Sequence, residues 1–382
     1  MDIRLSDEQE TFRKIVEQFA RTVVAPRAAE LDETGEFPYD IVAQMGELGL
    51  FGLPFPEQYG GMGGDYFTLC LALEELGRVD SSVAITLEAG VSLGAMPVYR
   101  FGTEEQRREW LPQLTTGAAL GAFGLTEPGG GSDAGATRTS AKVDGGEWVL
   151  NGTKCFITNS GTDITRLVTT TAITGQEFDA RKEISSILVP VPREGFSVSK
   201  PYSKVGWHAS DTREVHFRDC RVPEENLLGE RGRGYANFLQ ILDEGRIAIS
   251  ALSVGLAQGC VDECLSYAKQ REAFGQPISK FQAIAFKIAD MEVRAQTARL
   301  AYYSAADKML RSEPFKKDAA IAKLYASDIA VTNAREAVQI HGGYGFINEF
   351  PVARFWRDCK ILEIGEGTSE VQRILIAREL GL

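Results

Sequence analysis

Glu366 stands in the run Glu366-Gly367-Thr368-Ser369-Glu370. A carboxylate followed by glycine and two hydroxyl residues suits a base beside a turn that can approach a ligand closely. Alone, the run also fits an ordinary solvated turn. Three other segments carry groups that such chemistry would use. The glycines of Leu125-Thr126-Glu127-Pro128-Gly129-Gly130-Gly131-Ser132-Asp133 can bring backbone N–H groups against a ligand. In Cys155-Phe156-Ile157-Thr158-Asn159, strand alternation puts Phe156 and Thr158 on one face and Ile157 on the other. Arg271 in Arg271-Glu272-Ala273-Phe274-Gly275 suits bidentate phosphate contact.

The chain that must position these groups changes character twice. Residues 1–117 read as helical. Ser6-Asp7-Glu8-Gln9 makes a capping box, and Phe12, Ile15, Val16, Phe19 and Val23 follow at helical spacing. Pro26 predicts a kink. Further helices are expected near 38–49, 65–78, 81–101 and 103–113, with a Pro- and Gly-rich loop at 54–64. Residues 118–229 are rich in β-branched residues and turn signals. Glu147-Trp148-Val149-Leu150 reads as a strand between the turns Asp144-Gly145-Gly146 and Asn151-Gly152. Runs 167–172 and 186–191 are also β-prone, so an antiparallel barrel or sandwich is expected.

Residues 230–382 return to long helices. Phe281, Ile284, Ile288, Met291, Ala295, Ala298, Tyr302 and Ala305 recur every three or four residues, which is a bundle seam. Arg294, Arg299, Asp307 and Lys308 fall off it. Gly342-Gly343 reads as a helix stop. Asp243-Glu244-Gly245-Arg246 is expected to open a long helix whose first turn attracts anions.

The 382 residues allow two or three compact units. A net charge of -12 counts against nucleic-acid binding, so any anionic ligand needs local Arg or Lys. The six cysteines form no C-x-x-C, and with only His208, His216 and His341 no metal pattern arises. Buried apolar cysteines in a reducing compartment are expected. Asp2, Asp7, Glu8 and Glu10 fit neither a signal nor a transit peptide. No run approaches the ~20 apolar residues of a membrane span. A cytoplasmic location is the resulting expectation.

Gly129-x-Gly131-x-x-Ala134 formally matches a dinucleotide fingerprint. Pro128 before it, and turn and strand signals after it, exclude the βαβ context that the fingerprint needs.

In order and spacing, the four segments resemble the acyl-CoA dehydrogenase family of flavoenzymes over nearly the whole chain. The resemblance implies an α+β multidomain fold: an N-terminal α-helical domain, a middle antiparallel β-barrel and a C-terminal four-helix bundle. It implies FAD as cofactor, with Phe123, Leu125, Thr126, Gly131, Ser132, Phe156, Thr158, Thr368 and Glu370 near it. Arg271, Phe274, Gln282, Gln339, Gly342 and Gly343 would reach the FAD adenosine part of a neighbouring subunit, which implies a homotetramer. Ser132, Asp243, Arg246 and Gly367 would contact the acyl-CoA substrate.

Some relatives place the base where this chain has Gly245, which offers no carboxylate, and Glu244 lies about 100° away around a helix. The base is therefore assigned to Glu366. The family mechanism has Glu366 take the α-proton and flavin N5 accept the β-hydrogen as hydride. The Glu366 N–H and a ribityl hydroxyl would hold the thioester oxygen. A trans-2-enoyl-CoA results, and an electron-transferring flavoprotein takes the electrons. Many relatives have Tyr at the position of Gly365, so a short or branched acyl chain is expected. Trp207 and the segment from Ser210 to Arg213 match a stretch beside the ligand channel. His341 is expected to be structural. Competing readings are an acyl-CoA oxidase, often longer than this chain, a nitroalkane oxidase, which would favour Asp as base, and a non-enzymatic scaffold.

Overall fold

The computed structural model describes residues 4–176 and 182–382; Asp2 lies outside them. Helices α1 (Asp7–Phe19), α2 (Ala25–Thr34), α3 (Tyr39–Glu47), α4 (Tyr66–Gly77), α5 (Ser81–Glu88), α6 (Met96–Phe101) and α7 (Glu104–Thr115) come first. The capping box forms: Ser6 Oγ accepts from Gln9 N at 3.2 Å, and Gln9 Oε1 from Ser6 N at 3.0 Å. At Pro26 the helix is interrupted otherwise than by a simple kink. A π-helical turn, Ala20–Val24, precedes it, and Pro26 sits in the first turn of α2, where a missing N–H costs little. A second π-helical turn, Ala89–Ala95, joins α5 to α6.

The middle region is an eight-stranded sheet. Its strands are β1 (Leu120–Gly124), β2 (Ser140–Asp144), β3 (Glu147–Thr158), β4 (Thr165–Gln176), β5 (Lys182–Pro190), β6 (Phe196–Val198), β7 (Thr212–Pro223) and β8 (Leu227–Leu228). Two features differ from expectation. β1 runs parallel to β4, so the sheet is mixed. Asn151-Gly152 is not a turn but a bulge inside β3, where the register against β7 shifts. Trp148, Leu150, Val168, Ile187, Val215 and Phe217 form the sheet's own core.

The C-terminal region is built from α8 (Gly234–Gln270), α9 (Gln282–Leu310), α10 (Lys316–His341), α11 (Pro351–Asp358) and α12 (Ser369–Glu379). α10 packs on α8, α9 and α12. The seam holds: Met291, Ala295, Ala298, Tyr302 and Ala305 are fully buried. Arg299, off the seam, is drawn into a pair with Glu74 at 2.8 Å. α10 ends at Gly342, whose φ of 62° lies in the left-handed region.

The first and last regions are not independent cores. Val16, Leu69, Leu73, Leu252, Ala298 and Ala330 belong to one apolar cluster that spans both. α4 lies directly on α8, so close that a Cβ at Gly255 would meet the Glu74 carbonyl oxygen at 2.2 Å. α8 is buried on all sides from Glu244 to Ala257, where small and apolar residues predominate. By length and composition the helical stretches Ser81–Phe101 and Gly234–Gln270 could cross a membrane, contrary to the sequence expectation, but 94% and 89% of their apolar windows are buried within this fold. All six cysteines are buried and free.

Candidate active site

Glu366 lies in the turn between the 3-10 turn Cys359–Glu363 and α12. Its φ is 52° and that of Gly367 is 94°. A left-handed glutamate carries a strain of about 1–3 kcal/mol, so the surrounding contacts must impose it. Three contacts do so. Thr368 Oγ1 caps α12 by accepting from Val371 N at 3.3 Å. Gln372 Nε2 and Lys323 Nζ each donate to the Gly367 carbonyl at 2.8 Å. Lys323 is fully buried in α10, and burial lowers it to about 8.

Neither carboxylate oxygen of Glu366 has a hydrogen-bond partner. Burial pushes the carboxyl up to about 7, although the positive charges of Lys323 and Arg246 oppose the rise. The space for this side chain comes from Gly245 on α8, where a Cβ would meet Glu366 Oε2 at 2.3 Å. Asp243 and Arg246 do not open α8: the helix starts at Gly234, with no side-chain cap to mark it. Both lie in its interior, paired with each other, and Arg246 is almost fully buried. The N-terminal dipole therefore does not act there. Glu244 points elsewhere, as expected, and pairs with Arg100 at 3.0 Å.

The segment after β1 is held by two residues that sequence reading passed over. Lys154 Nζ, fully buried, donates to the Leu125 carbonyl at 3.2 Å, Glu127 Oε1 at 2.8 Å and Thr171 Oγ1 at 3.1 Å. Glu127 also accepts from the N–H groups of Arg138 at 2.8 Å and Thr139 at 3.0 Å. Its carboxyl is held low by Lys154 against the cost of burial. A Lys in the middle of a strand with no other charge after Glu147 was the available signal. Thr126 is half-buried and accepts from Cys155 N at 2.9 Å through its carbonyl. Gly131 and Ser132 are exposed. The glycine run leads into a 3-10 turn, Ala134–Ala136, and then β2, not into a βαβ helix.

Phe156 and Thr158 do lie outward while Ile157 is buried, but alternation is not the whole cause. Phe156 is left-handed with φ 60° at a register shift, and its ring is 66% exposed beside Tyr202, centroids 5.2 Å apart. Phe123 is committed to packing: it stacks on Phe238 at 3.8 Å. Trp207 N donates to Asp358 at 2.7 Å and its indole to Ser81 at 3.0 Å, which joins the three regions.

Arg271 caps the end of α8, and Phe274, 97% exposed, tops the following hairpin. Arg271, Gly342 and Gly343 line a cavity of about 560 Å³ with Tyr267 and Tyr344; its walls include neither Glu366 nor residues 125–133. Gln282 and Gln339 are exposed. His341 is structural: it is buried, and its ring stacks on Tyr267 at 4.1 Å. Thr368 is spent on its cap, and Glu370 projects outward.

Glu88, at the end of α5, was missed altogether. It is fully buried, adjoins Glu366, and neither of its oxygens has a hydrogen-bond partner. It is the single charged residue between Asp80 and Arg100, and that isolation was its signal.

An exposed aromatic ring, a free glycine loop and an orphaned buried carboxyl fit a planar cofactor and a substrate meeting at Glu366. Residues 6–118, 122–220 and 232–381 match the family models for the acyl-CoA dehydrogenase N-terminal, middle and C-terminal domains. The chain is 50% identical over 380 residues to a probable acyl-CoA dehydrogenase of Bacillus subtilis (strain 168), with 100% of each covered. It is 42% identical over 380 residues to a short-chain specific acyl-CoA dehydrogenase of Clostridium acetobutylicum, again with 100% of each covered. The solved structure of butyryl-CoA dehydrogenase from Megasphaera elsdenii matches with a TM-score of 0.96 at 42% identity over 100% of both chains. The chain belongs to the acyl-CoA dehydrogenase family, whose members are FAD-dependent oxidoreductases.

Proposed function

We propose that this protein converts a saturated, short or branched acyl-CoA thioester to the trans-2-enoyl-CoA, with Glu366 taking the α-proton. The observation that carries this reading is the buried Glu366 carboxyl with both oxygens unpartnered. A base with no competing donor is free to face a carbon acid, and burial raises its basicity toward neutral pH. Bound FAD supplies the acceptor for the β-hydrogen and its electron pair.

The residues of this chain divide the remaining work. Lys154 and Glu127 fix the Leu125-Thr126 backbone against the flavin edge. Phe156 covers the ring, and Thr158 offers its hydroxyl on the same side. The Glu366 N–H holds the thioester oxygen. Arg246 stands at the thioester end, beside Glu366, while exposed Ser132 meets the outer CoA portion. At Gly365 a Cβ would meet only the Ile361 carbonyl oxygen, at 3.5 Å, so the missing side chain leaves room for a branch. The cavity at Arg271 stands apart from Thr126, which supports adenosine contacts from a neighbouring subunit and a homotetramer. An electron-transferring flavoprotein is the proposed electron acceptor.

The test is an anaerobic titration of the FAD-loaded protein with short straight and branched acyl-CoAs. Bleaching of the flavin absorbance is expected, fastest with the true substrate class. A flavin that no acyl-CoA bleaches would overturn the reading, and rapid oxygen consumption during turnover would make it an oxidase.

A further inference from the structure

Two carboxyl groups meet in the interior of this site. Glu88 comes from α5 and Glu366 from the turn before α12, and both are closed off from solvent. The groups facing them are few. Ser92 and Tyr66 adjoin Glu88, with the Tyr66 hydroxyl donating to Ser92 Oγ at 2.8 Å, and Cys70 of α4 lies nearby. Arg246 of α8 and Lys323 of α10 adjoin Glu366. Ser92 is near enough to Glu88 to oppose the rise of its carboxyl, yet none of these groups is an aligned hydrogen-bond donor to any of the four carboxylate oxygens.

Two ionised carboxylates cannot satisfy each other, since both only accept. Leaving four buried oxygens unpaired beside a like charge is costly. One proton resolves the arrangement, because a carboxylic acid donates to a carboxylate. Lys323 and Arg246 favour the charge on Glu366, whereas no cation among the described residues adjoins Glu88. The proton therefore belongs on Glu88.

We propose that Glu88 is a positioning residue of this site: it retains a proton and donates it as a hydrogen bond to the Glu366 carboxylate, holding the base ionised and in one orientation. The proposal rests on Glu366 being the base. Burial, and then the neighbouring charge of Glu366, raise the Glu88 carboxyl well above its ordinary range, in agreement with this assignment. A donor to the charged form of Glu366 favours that form, so loss of the donor pushes the base toward its protonated, inactive state.

The experiment uses the FAD-loaded full chain and its Glu88→Gln and Glu88→Leu variants. Leu keeps the site dry but cannot donate; Gln donates through its amide. In Glu88→Leu the acidic limb of the kcat/KM profile is expected to move up by roughly one pH unit, about a tenfold loss below the limb. Glu88→Gln is expected to restore the limb to near its original position. An unmoved limb in Glu88→Leu would overturn the proposal. Infrared difference spectra, which need no substrate, provide the second readout. At a pH above the Glu366 limb, a protonated-carboxyl carbonyl band that Glu88→Gln loses is expected in the parent protein and in Glu366→Gln. Its absence from the parent protein would overturn the proposal even if Glu88→Leu failed to fold. If no acyl-CoA reduces the flavin, the dehydrogenase reading fails by itself and the infrared band alone decides the carboxyl pair.

Discussion

The Cβ that Gly245 lacks would lie 2.3 Å from Oε2 of Glu366. The helix α8 and the turn before α12 thus compete for one volume, and only one of them can fill it with a side chain. This chain gives the space to the turn.

Gly245→Ala should therefore displace the base while leaving α8 helical, since alanine is the better helix former. A shift of about 1 Å at the reacting groups costs on the order of 100-fold in rate. Turnover is expected to fall by that order with FAD still bound. Full activity in the variant would show that the Glu366 position in this structure is not the working one.

Glu366→Gln removes the proton acceptor but keeps size and burial. A loss of roughly 100- to 10,000-fold in kcat is expected, with flavin content unchanged. In the parent protein, activity should rise with pH through about 7, where the buried carboxyl ionises.

The same burial acts on stability with the opposite sense. The folded-state carboxyl is raised, so the folded protein holds a proton that the unfolded chain has released. This contribution is fully present below the ordinary carboxyl range and is lost as pH rises to about 7. Urea unfolding at a series of pH values should show Glu366→Gln gaining stability over the parent protein across that window.

Lys154→Met would strand Glu127 without its cation and free the Leu125 carbonyl. Breaking one side of a buried ion pair costs about 3–5 kcal/mol. Both a lower unfolding midpoint and weaker FAD retention are expected, because the same ammonium holds the Leu125-Thr126 backbone. Lost stability with unaltered FAD affinity would confine Lys154 to a structural role.

Gly255→Ala would push a Cβ against the Glu74 carbonyl oxygen at 2.2 Å and the Arg78 N at 3.0 Å. Both are backbone atoms and cannot swing aside. Separating α4 from α8 should cost about 1–3 kcal/mol, read by chemical denaturation. A neutral result would mean that the two helices are not tightly docked.

Local features were legible in the sequence because they depend on near neighbours. The Ser6 cap, the α9 seam and the Gly342 stop follow from spacing and side-chain chemistry over a few residues. The Glu366 run and the 125–133 loop stood out because their residue types suit a ligand better than a core. The bulge at Asn151-Gly152 escaped, since the same pair serves a turn or a bulge and the β7 partner decides between them. The start of α8 escaped because Arg233, the residue before it, makes no side-chain cap, so no capping signal marks its first turn.

The sequence by itself determined the order of helical, sheet-rich and helical regions and the family, and it singled out Glu366 as the candidate base. Only the tertiary structure decided that the outer two regions share one core, that Lys154 and Lys323 brace the two loops of the site, and that Glu88 faces Glu366. The physical reason is that a buried charge is read from the sequence only as an interruption in an apolar run. What it costs, and what it can do, depends on the partner that packing brings to it.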